Sequence, residues 1–198
     1  DAGVAPDRIR EIPNGVDETV YRPPTEAERS AARMALGIAE DEFVALYQGR
    51  LEPYKRVDLV IEAWSRLAPE QRGRLLIVGT GSEADHLEEL AAEDDKISLE
   101  GPTDDAASYL RAADVFVNAS GDPTIHWQEG LSVALLEACF VGVMPIVTAG
   151  PGNDVIVKDG STGMSFPMGD LEALTTCLAK AADDPGLRRR LARQARAS

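Results

Sequence analysis

The sequence predicts an α/β domain in which a parallel sheet of about six strands lies between two layers of helices. Short apolar runs alternate with longer amphipathic runs along most of the chain, and the links between them are short. This alternation is typical of a parallel sheet with helices on both faces. Glycine-bearing turns follow several apolar runs, and these turns fall at the carboxyl ends of the predicted strands, where ligands bind in such sheets.

The predicted strands are short apolar runs that end at a glycine or a polar cluster. The first run ends at Gly49, the second ends at Gly79, and the third leads into Gly101. The fifth run carries Pro145 at an early position, which a strand tolerates. The predicted strands occupy residues 43–48, 75–78, 97–99, 114–118, 144–148 and 163–166.

The predicted helices have apolar residues that recur at intervals of three and four, and the clearest example places Val57, Val60, Ile61 and Trp64 on one face. Together with the strands they predict one Rossmann-like, three-layer domain. The predicted helices occupy residues 26–36, 57–67, 83–92, 106–112, 130–141, 171–182 and 186–197.

The first 24 residues contain prolines that argue for loop, at Pro6, Pro13, Pro23 and Pro24. We therefore divide the chain into a lead-in or interdomain segment at 1–24 and a domain at 25–198. The absence of an initiator methionine is consistent with a piece of a longer chain.

Composition excludes several classes of protein. The chain has 198 residues, of which 44% are hydrophobic and 27% charged, as in ordinary globular domains. The formal net charge of −14, from 34 acidic and 20 basic residues, disfavours nucleic acid and anionic lipid as general partners. No apolar run reaches the roughly 18 residues of a membrane span, and the first residues lack a signal peptide. We expect a cytoplasmic protein, with cysteines 139 and 177 as buried apolar residues.

A loop with two cations follows the first predicted strand. It begins at Gly49 and carries Arg50 and Lys55 immediately before a predicted helix. Helix termini of this kind bind phosphate, because free amide groups and the helix dipole point outward. The alternative is a solvated loop with ordinary cations. The turn with Gly79 and Gly81 is a weaker signal, since most such glycines only make a tight turn.

The segment from Glu129 to Glu137 carries two carboxylates eight residues apart, at the start of a predicted helix and inside it. A continuous helix would separate them by roughly 12 Å, which suits hydroxyl groups on either side of a pyrophosphate. The amide groups of Gly130, Leu131 and Ser132 would be helix N-terminal donors for phosphate oxygens. The neighbours of Glu137 are apolar, so its carboxylate should face a pocket or a partner, although an edge-facing glutamate is the alternative.

These segments together resemble a known family, because their motifs occur in one order along nearly the whole chain. The chain is similar to the carboxyl-terminal domain of family four of the retaining GT-B glycosyltransferases, which includes sucrose, mannosyl and bacterial cell-envelope transferases. The motifs are Ile12-Pro-Asn-Gly-Val-Asp17, Gly49-Arg-Leu-x-x-x-Lys55, Val78-Gly-x-Gly81, Ala113-Asp-Val-Phe-Val117, Glu129-Gly-Leu-Ser-x-x-Leu-x-Glu137, Gly160-x-x-Gly163 and Gly169-Asp170.

The resemblance implies roles for the residues of these motifs. Arg50 and Lys55 would hold the diphosphate of a nucleotide sugar, in the loop that Gly49 and Gly81 shape. Glu129 would bind hydroxyl groups of the donor sugar, and Glu137 would bind the ribose. The amides of residues 130–132 would lie near the donor, and Pro102 and Thr103 would meet the base.

The resemblance also implies a reaction and a partner domain. Such enzymes transfer a glycosyl unit, here a hexosyl unit, with retained anomeric configuration and usually without a metal or another cofactor. Their acceptor binds to a separate N-terminal domain, so this chain alone should bind a donor but transfer little. The implied enzyme is cytoplasmic and bacterial, and association of the full enzyme with a membrane surface stays open.

Three segments depart from the family pattern. Residues 121–128 lengthen a link that is usually shorter, and His126 and Trp127 there form either a lid over the substrates or an ordinary packed loop. Residues 150–156 match a glycine-rich acidic region only loosely, with Asp154 as a possible substitute. The arginine-rich run at 188–196 is either a solvated helix face or a surface for another domain.

Two other classes of function remain open at this stage. Another GT-B enzyme, such as a nucleotide-sugar epimerase, would use the same donor without an acceptor. A non-catalytic Rossmann-like binding module would not need paired carboxylates at residues 129 and 137, and it would ignore nucleotides. The base, the sugar and the acceptor do not follow from these residues.

Overall fold

A single six-stranded sheet organises the domain. The computed structural model describes residues 8, 10, 14–121 and 129–198. All strand pairs are parallel, in the order β3-β2-β1-β4-β5-β6. The strands are β1 Val44–Gln48, β2 Arg74–Val78, β3 Ile97–Gly101, β4 Val115–Asn118, β5 Met144–Thr148 and β6 Met164–Phe166.

Helices cover both faces of the sheet, which confirms the three-layer α/β prediction. One face packs against α2, α3 and α6, and the other packs against α4 and α5. Short 3₁₀ turns lie at Pro53–Lys55, Pro69–Gln71 and Asn153–Val155. The helices are α1 Glu26–Ala35, α2 Val57–Ser65, α3 Ala84–Ala91, α4 Ala106–Ala112, α5 Val133–Val141, α6 Leu171–Asp183 and α7 Pro185–Ala197.

The central strands are buried on both sides, so their side chains alternate between two apolar layers rather than between core and solvent. In β1, Ala45 and Tyr47 pack with the α2 and α6 side, whereas Val44 and Leu46 pack with the α4 and α5 side. Because β1 lies between β2 and β4, the winding of the chain reverses beside it. Ligands bind in the crevice beyond the carboxyl ends of strands at such a reversal.

Side-chain caps fix where several helices begin. Thr25 forms a reciprocal capping box with Glu28 at the start of α1, and Asp170 and Asp184 cap α6 and α7. The prediction that a helix begins at Gly130 is wrong. Ser132 is the N-cap of α5, its hydroxyl accepts from the amide of Leu135, and the first helical residue is Val133.

A charged cluster at the amino edge of the sheet ties α1 to β4. Asp114, just before β4, pairs with Arg29 at 2.8 Å and with the buried Arg33 at 3.0 Å. The same carboxylate accepts a hydrogen bond from the Val44 amide at 2.9 Å. Arg33 also donates to three backbone carbonyls in the loop after α1, so its charge is well satisfied.

The lead-in contains neither helix nor strand across residues 14–24, in agreement with its prolines. Within the described ranges, none of the helices has the length and apolar character needed to cross a membrane.

Candidate donor site at the carboxyl edge of the sheet

Three glycine turns meet at the carboxyl edge of β1, β2 and β3 and extend the hydrogen-bond ladder beyond the strands. Gly49 donates its amide to Val78 at 3.0 Å, and Gly79 donates to Gly101 at 2.8 Å. One step further out, Leu51 donates to Thr80 at 2.9 Å. The loop after β1 is therefore held by backbone bonds to the loop after β2.

The turn after β2 needs glycine at two positions because the two loops touch backbone to backbone. A Cβ on Gly79 would lie 1.8 Å from the carbonyl oxygen of Gly49. A Cβ on Gly81 would lie 2.2 Å from the carbonyl oxygen of Leu51. Close packing of the two loops accounts for Gly81, and its contact with a donor stays a prediction.

Lys55 and Glu129 form an ion pair at this edge. The 3₁₀ turn Pro53–Lys55 presents the lysine, and Glu129 comes from the loop before α5. Each side chain is only 14% exposed, so the pair is largely shielded from water. The structure thus brings together two of the residues that the sequence analysis predicts to act on the donor.

Tyr54 stands between the two predicted phosphate-binding cations. The guanidinium carbon of Arg50 lies 5.6 Å from the ring centroid, and the Lys55 ammonium lies 5.7 Å from it. Both distances are in the range of cation–π attraction. Tyr54 was not predicted from the sequence, although an aromatic residue within a short loop that carries two cations was a usable signal.

Tyr47 fixes the path of the loop after β1. Its hydroxyl donates to the carbonyl of Arg50 at 2.7 Å. Burial and the nearby carboxylate of Glu129 raise the pKa of Tyr47 well above its usual range. The tyrosine is therefore a neutral hydrogen-bond donor at all ordinary pH values.

The loop from Glu129 to Ser132 lies outside the helix, which corrects the predicted geometry. Among Gly130, Leu131 and Ser132, only Ser132 lies at the helix terminus, so the first two amides are loop donors rather than helix donors. The 12 Å estimate does not apply, because it assumed a continuous helix from Glu129 to Glu137.

Two neighbours hold that loop in place. A Cβ on Gly152 would lie 2.3 Å from the carbonyl oxygen of Glu129 and 2.4 Å from the carbonyl group of Gly130. From the lead-in, Asn14 donates to the carbonyl of Leu131 at 3.3 Å. The backbone beside Glu129 is thus fixed from two sides.

Glu137 faces polar partners from other elements rather than the core. Gln48, at the end of β1, donates to its carboxylate at 2.9 Å, and Tyr21 of the lead-in makes a second hydrogen bond. Burial raises the pKa of Glu137, against the lowering effect of these two donors. Burial and this carboxylate raise the pKa of Tyr21 to about 12. Sequence reasoning missed both partners.

Gln48 also carries an unused acceptor. Its Oε1 atom is buried and has no hydrogen-bond partner within the described part of the chain. An unpaired buried carbonyl is costly unless a ligand or water completes it. The atom belongs to the amide that holds Glu137, so this part of the edge has a buried acceptor that a bound ligand could use.

Pro102 and Thr103 lie in the loop after β3, at the same edge of the sheet as Gly49 and Gly79. The Thr103 hydroxyl accepts a hydrogen bond from the Asp105 amide at 3.0 Å, next to the start of α4. The fold places both residues on the correct edge, and their contact with a base stays a prediction.

The segments that depart from the family pattern differ in what the structure describes of them. His126 and Trp127 lie outside the described residues. Asp154 accepts from the Gly150 amide at 3.2 Å, so its carboxylate shapes its own loop. Across residues 14–121 and 129–198, no group of three or more His, Cys, Asp or Glu side chains is arranged to hold a metal ion.

The parallel sheet, its winding reversal and its glycine loops define a Rossmann-like domain of the GT-B type. Residues 28–198 match the family Glycosyl transferases group 1. The chain belongs to this family of glycosyltransferases, which confirms the resemblance seen in the sequence.

Curated relatives agree with this assignment. The D-inositol 3-phosphate glycosyltransferase of Saccharomonospora viridis is 34% identical over 208 residues, covering 97% of this chain and 46% of the relative. The enzyme of the same name from Kribbella flavida is 29% identical over 202 residues, covering 98% of this chain and 47% of the relative. The chain therefore spans about half the length of the curated relatives it matches.

Solved structures share the fold. WaaG, a glycosyltransferase involved in lipopolysaccharide biosynthesis, superposes with a TM-score of 0.84 at 26% identity, over 98% of this chain and 52% of WaaG. HepE from Anabaena, in complex with UDP-glucose, gives a TM-score of 0.86 at 22% identity, over 99% of this chain and 54% of HepE. The C-terminal domain of LpcC from Francisella tularensis gives 0.75 at 21% identity, over 92% of this chain and 95% of that domain.

Proposed function

We propose that this chain is the donor-binding domain of a retaining glycosyltransferase and that it binds a nucleotide diphosphate sugar at the carboxyl edge of the sheet. The observation that carries the proposal is the ion pair of Lys55 and Glu129, which joins two distant motifs of the family at one place. A fold relative solved with UDP-glucose supports the ligand class.

Two cations would receive the diphosphate. Arg50 offers a planar fork for two phosphate oxygens, and Lys55 offers a mobile point charge. When the glycosyl bond breaks, negative charge develops on the departing diphosphate, and cations already in place stabilise it. The loop bonds from Gly49 and Leu51 keep these groups preorganised.

The two carboxylates would hold the two sugars of the donor. Glu129 accepts hydrogen bonds from hydroxyl groups of the transferred hexosyl unit while Lys55 turns to the diphosphate. Glu137, already oriented by Gln48 and Tyr21, accepts from the ribose hydroxyls. The free Oε1 of Gln48 is a further acceptor within this part of the site.

The remaining half of the relatives' length would supply the acceptor site. Since the cleft between two domains excludes water during transfer, this chain alone should bind donor with little or no transfer. The acceptor hydroxyl attacks the anomeric carbon as the bond to the diphosphate breaks, its proton passes to the departing diphosphate, and the configuration is retained. We propose that neither a metal nor another cofactor takes part.

Calorimetric titration with UDP, GDP and ADP tests the proposal. We expect one nucleotide to bind, with weaker binding in Lys55→Ala. The control is Lys96→Ala, which removes the same charge just before β3, at the opposite edge of the sheet. The proposal fails if no nucleotide binds, or if the two lysine variants bind equally. A non-catalytic module would give the first of these outcomes, and product analysis of the intact enzyme separates a transferase from an epimerase.

A further inference from the structure

An arginine-lined cavity lies at the edge of the sheet opposite to the candidate donor site. It has a volume of about 470 Å³ and is bordered by Ala113 and Val143, which lie just before β4 and β5. Its apolar wall includes Pro23, Leu110 and Val141. Its arginines come from α1, α4 and α7, and they are Arg29, Arg111, Arg189, Arg193 and Arg196.

The lining of this cavity reverses the charge of the chain. Among the residues that the structure describes, no aspartate or glutamate borders it, although acidic residues outnumber basic ones by 34 to 20 in the whole sequence. Helix α7 contributes to this reversal, since Pro185–Ala197 contains five arginines and no acidic residue. A local positive site of this kind attracts an anion despite the net charge of −14.

Several of the guanidinium groups have hydrogen-bond donors that no described residue uses. The side chains of Arg189 and Arg193 make neither an ion pair nor a hydrogen bond with any residue that the structure describes. Arg111 donates one amino group to the carbonyl of Val20 at 3.1 Å, while its buried Nε has no partner in the described ranges. Among the arginines of the cavity, Arg29 alone pairs with a carboxylate of the described residues, that of Asp114.

Burial and mutual repulsion both disfavour the charged form of these arginines. Burial lowers the pKa of Arg29, and repulsion from Arg33 adds to this effect beside the opposing attraction of Asp114. In the adjoining cavity of about 300 Å³, burial lowers the pKa of Arg188, and Arg189 adds to the lowering. An anion held between these groups would relieve both effects.

We propose that this cavity binds a small phosphate-bearing molecule. Guanidinium forks match phosphate oxygens, and the cavity volume suits a small ligand whose organic part contacts the apolar wall. The arginines surround a recess between helices, which favours a small ligand over a flat lipid surface. The site is independent of the donor edge, since about 15 Å of strand separates the two.

Binding of inorganic tripolyphosphate, followed by amide chemical shifts, tests the site. We expect shifts at Gly142 and Ala192, beside the cavity, separately from any shifts at Gly81. Arg193→Gln should weaken binding at the cavity about tenfold, as for loss of one charge-assisted hydrogen bond. Arg190→Gln is the matched control, because it removes the same charge from the same helix at a residue outside the cavity lining.

Three outcomes would overturn the proposal. Shifts confined to the donor edge would show that only Arg50 and Lys55 bind phosphate. Equal weakening by Arg193→Gln and Arg190→Gln would show a general charge effect without a site. Arginine-dependent binding to phosphatidylglycerol vesicles, without shifts from tripolyphosphate, would assign the arginines to a lipid surface. Circular dichroism checks that both exposed substitutions leave the fold intact.

Discussion

Lys55 and Glu129, which are 74 positions apart in the sequence, neutralise each other at the carboxyl edge of the sheet. A bound ligand would therefore have to replace each residue as the partner of the other. A diphosphate must compete with Glu129 for the lysine, and a sugar hydroxyl must compete with Lys55 for the carboxylate. Under the proposed function, donor binding would therefore be an exchange of partners, and substitutions of the two residues should have opposite effects on a nucleotide without sugar.

Lys55→Ala should weaken nucleoside diphosphate binding about 10- to 100-fold, because it removes a charge-assisted contact to phosphate. Glu129→Gln should instead tighten it about fivefold, since releasing a shielded ion pair is worth roughly 1 kcal/mol. The same Glu129→Gln change should weaken binding of the nucleotide sugar, because a neutral amide replaces the charged acceptor for its hydroxyls. Titration calorimetry with both ligands measures all three effects. Glu88→Gln on the exposed face of α3 is the control, and weaker nucleoside diphosphate binding by Glu129→Gln would contradict the exchange.

Glu137→Gln should separate stability from binding. The raised pKa of Glu137 means that the native state favours the protonated form. Its contribution to stability is therefore present below the ordinary pKa of 4.5 and is lost as the pH rises above it. Removing the charge should raise the Tm at pH 7, helped by the free Oε1 of Gln48, which can accept from the new amide.

The advantage of Glu137→Gln should shrink as the pH falls toward 4.5, because the raised pKa lets the native wild-type carboxyl protonate above that value. Nucleotide binding should be weaker in the variant, because an amide replaces the charged acceptor for the ribose. Thermal denaturation as a function of pH, together with titration, measures both properties. A lower Tm at pH 7 with unchanged binding would assign Glu137 to a structural role.

Gly152→Ala should destabilise the domain by about 1–3 kcal/mol, as overpacking does. The added methyl group would meet the backbone of Glu129 and Gly130, which cannot move aside like a side chain. Gly150→Ala is a matched control, since its Cβ would have nothing within 4 Å. Urea unfolding of the two variants gives the comparison, and similar losses in both would show that the loop is loosely packed.

Arg56 is the one non-glycine residue with positive φ among those described, at 52°. It caps the 3₁₀ turn that carries Lys55 and precedes α2, so the chain must adopt this left-handed conformation there. Arg56→Gly should therefore be more stable than Arg56→Ala by about 1 kcal/mol. Both substitutions remove the ion pair with Asp58, so the difference reports the backbone preference of the two residues rather than the ion pair. Equal unfolding free energies would contradict this account.

The sequence predicted all six strands, because buried parallel strands are continuous apolar runs that periodicity detects well. The ends of the helices were predicted less accurately than the strands. The apolar residues around Glu137 extended the predicted α5 toward Gly130, whereas the hydroxyl of Ser132 sets its start. Serine was available as a start signal, but the adjacent glycine and leucine obscured it.

Contacts between distant segments could not be predicted from the sequence. The order of motifs indicated that Lys55 and Glu129 serve one ligand, but their ion pair depends on how two loops curve toward each other. Tyr21 was placed in a proline-rich lead-in, and nothing in its neighbours pointed to Glu137. The arginines at 188–196 were noted as a helix face, and only the fold gathers three of them, Arg189, Arg193 and Arg196, with Arg29 and Arg111.

The backbone bonds that join the turns at Gly49, Gly79 and Gly101 have a consequence for redesign. The loop carrying Arg50 and Lys55 leans on the turn of the next strand at contact distances that admit only glycine. A transplanted loop from a relative would be misplaced unless the turn at residues 79–81 moved with it. Altering the proposed donor preference of this domain therefore requires exchanging the loop after β1 and the turn after β2 together.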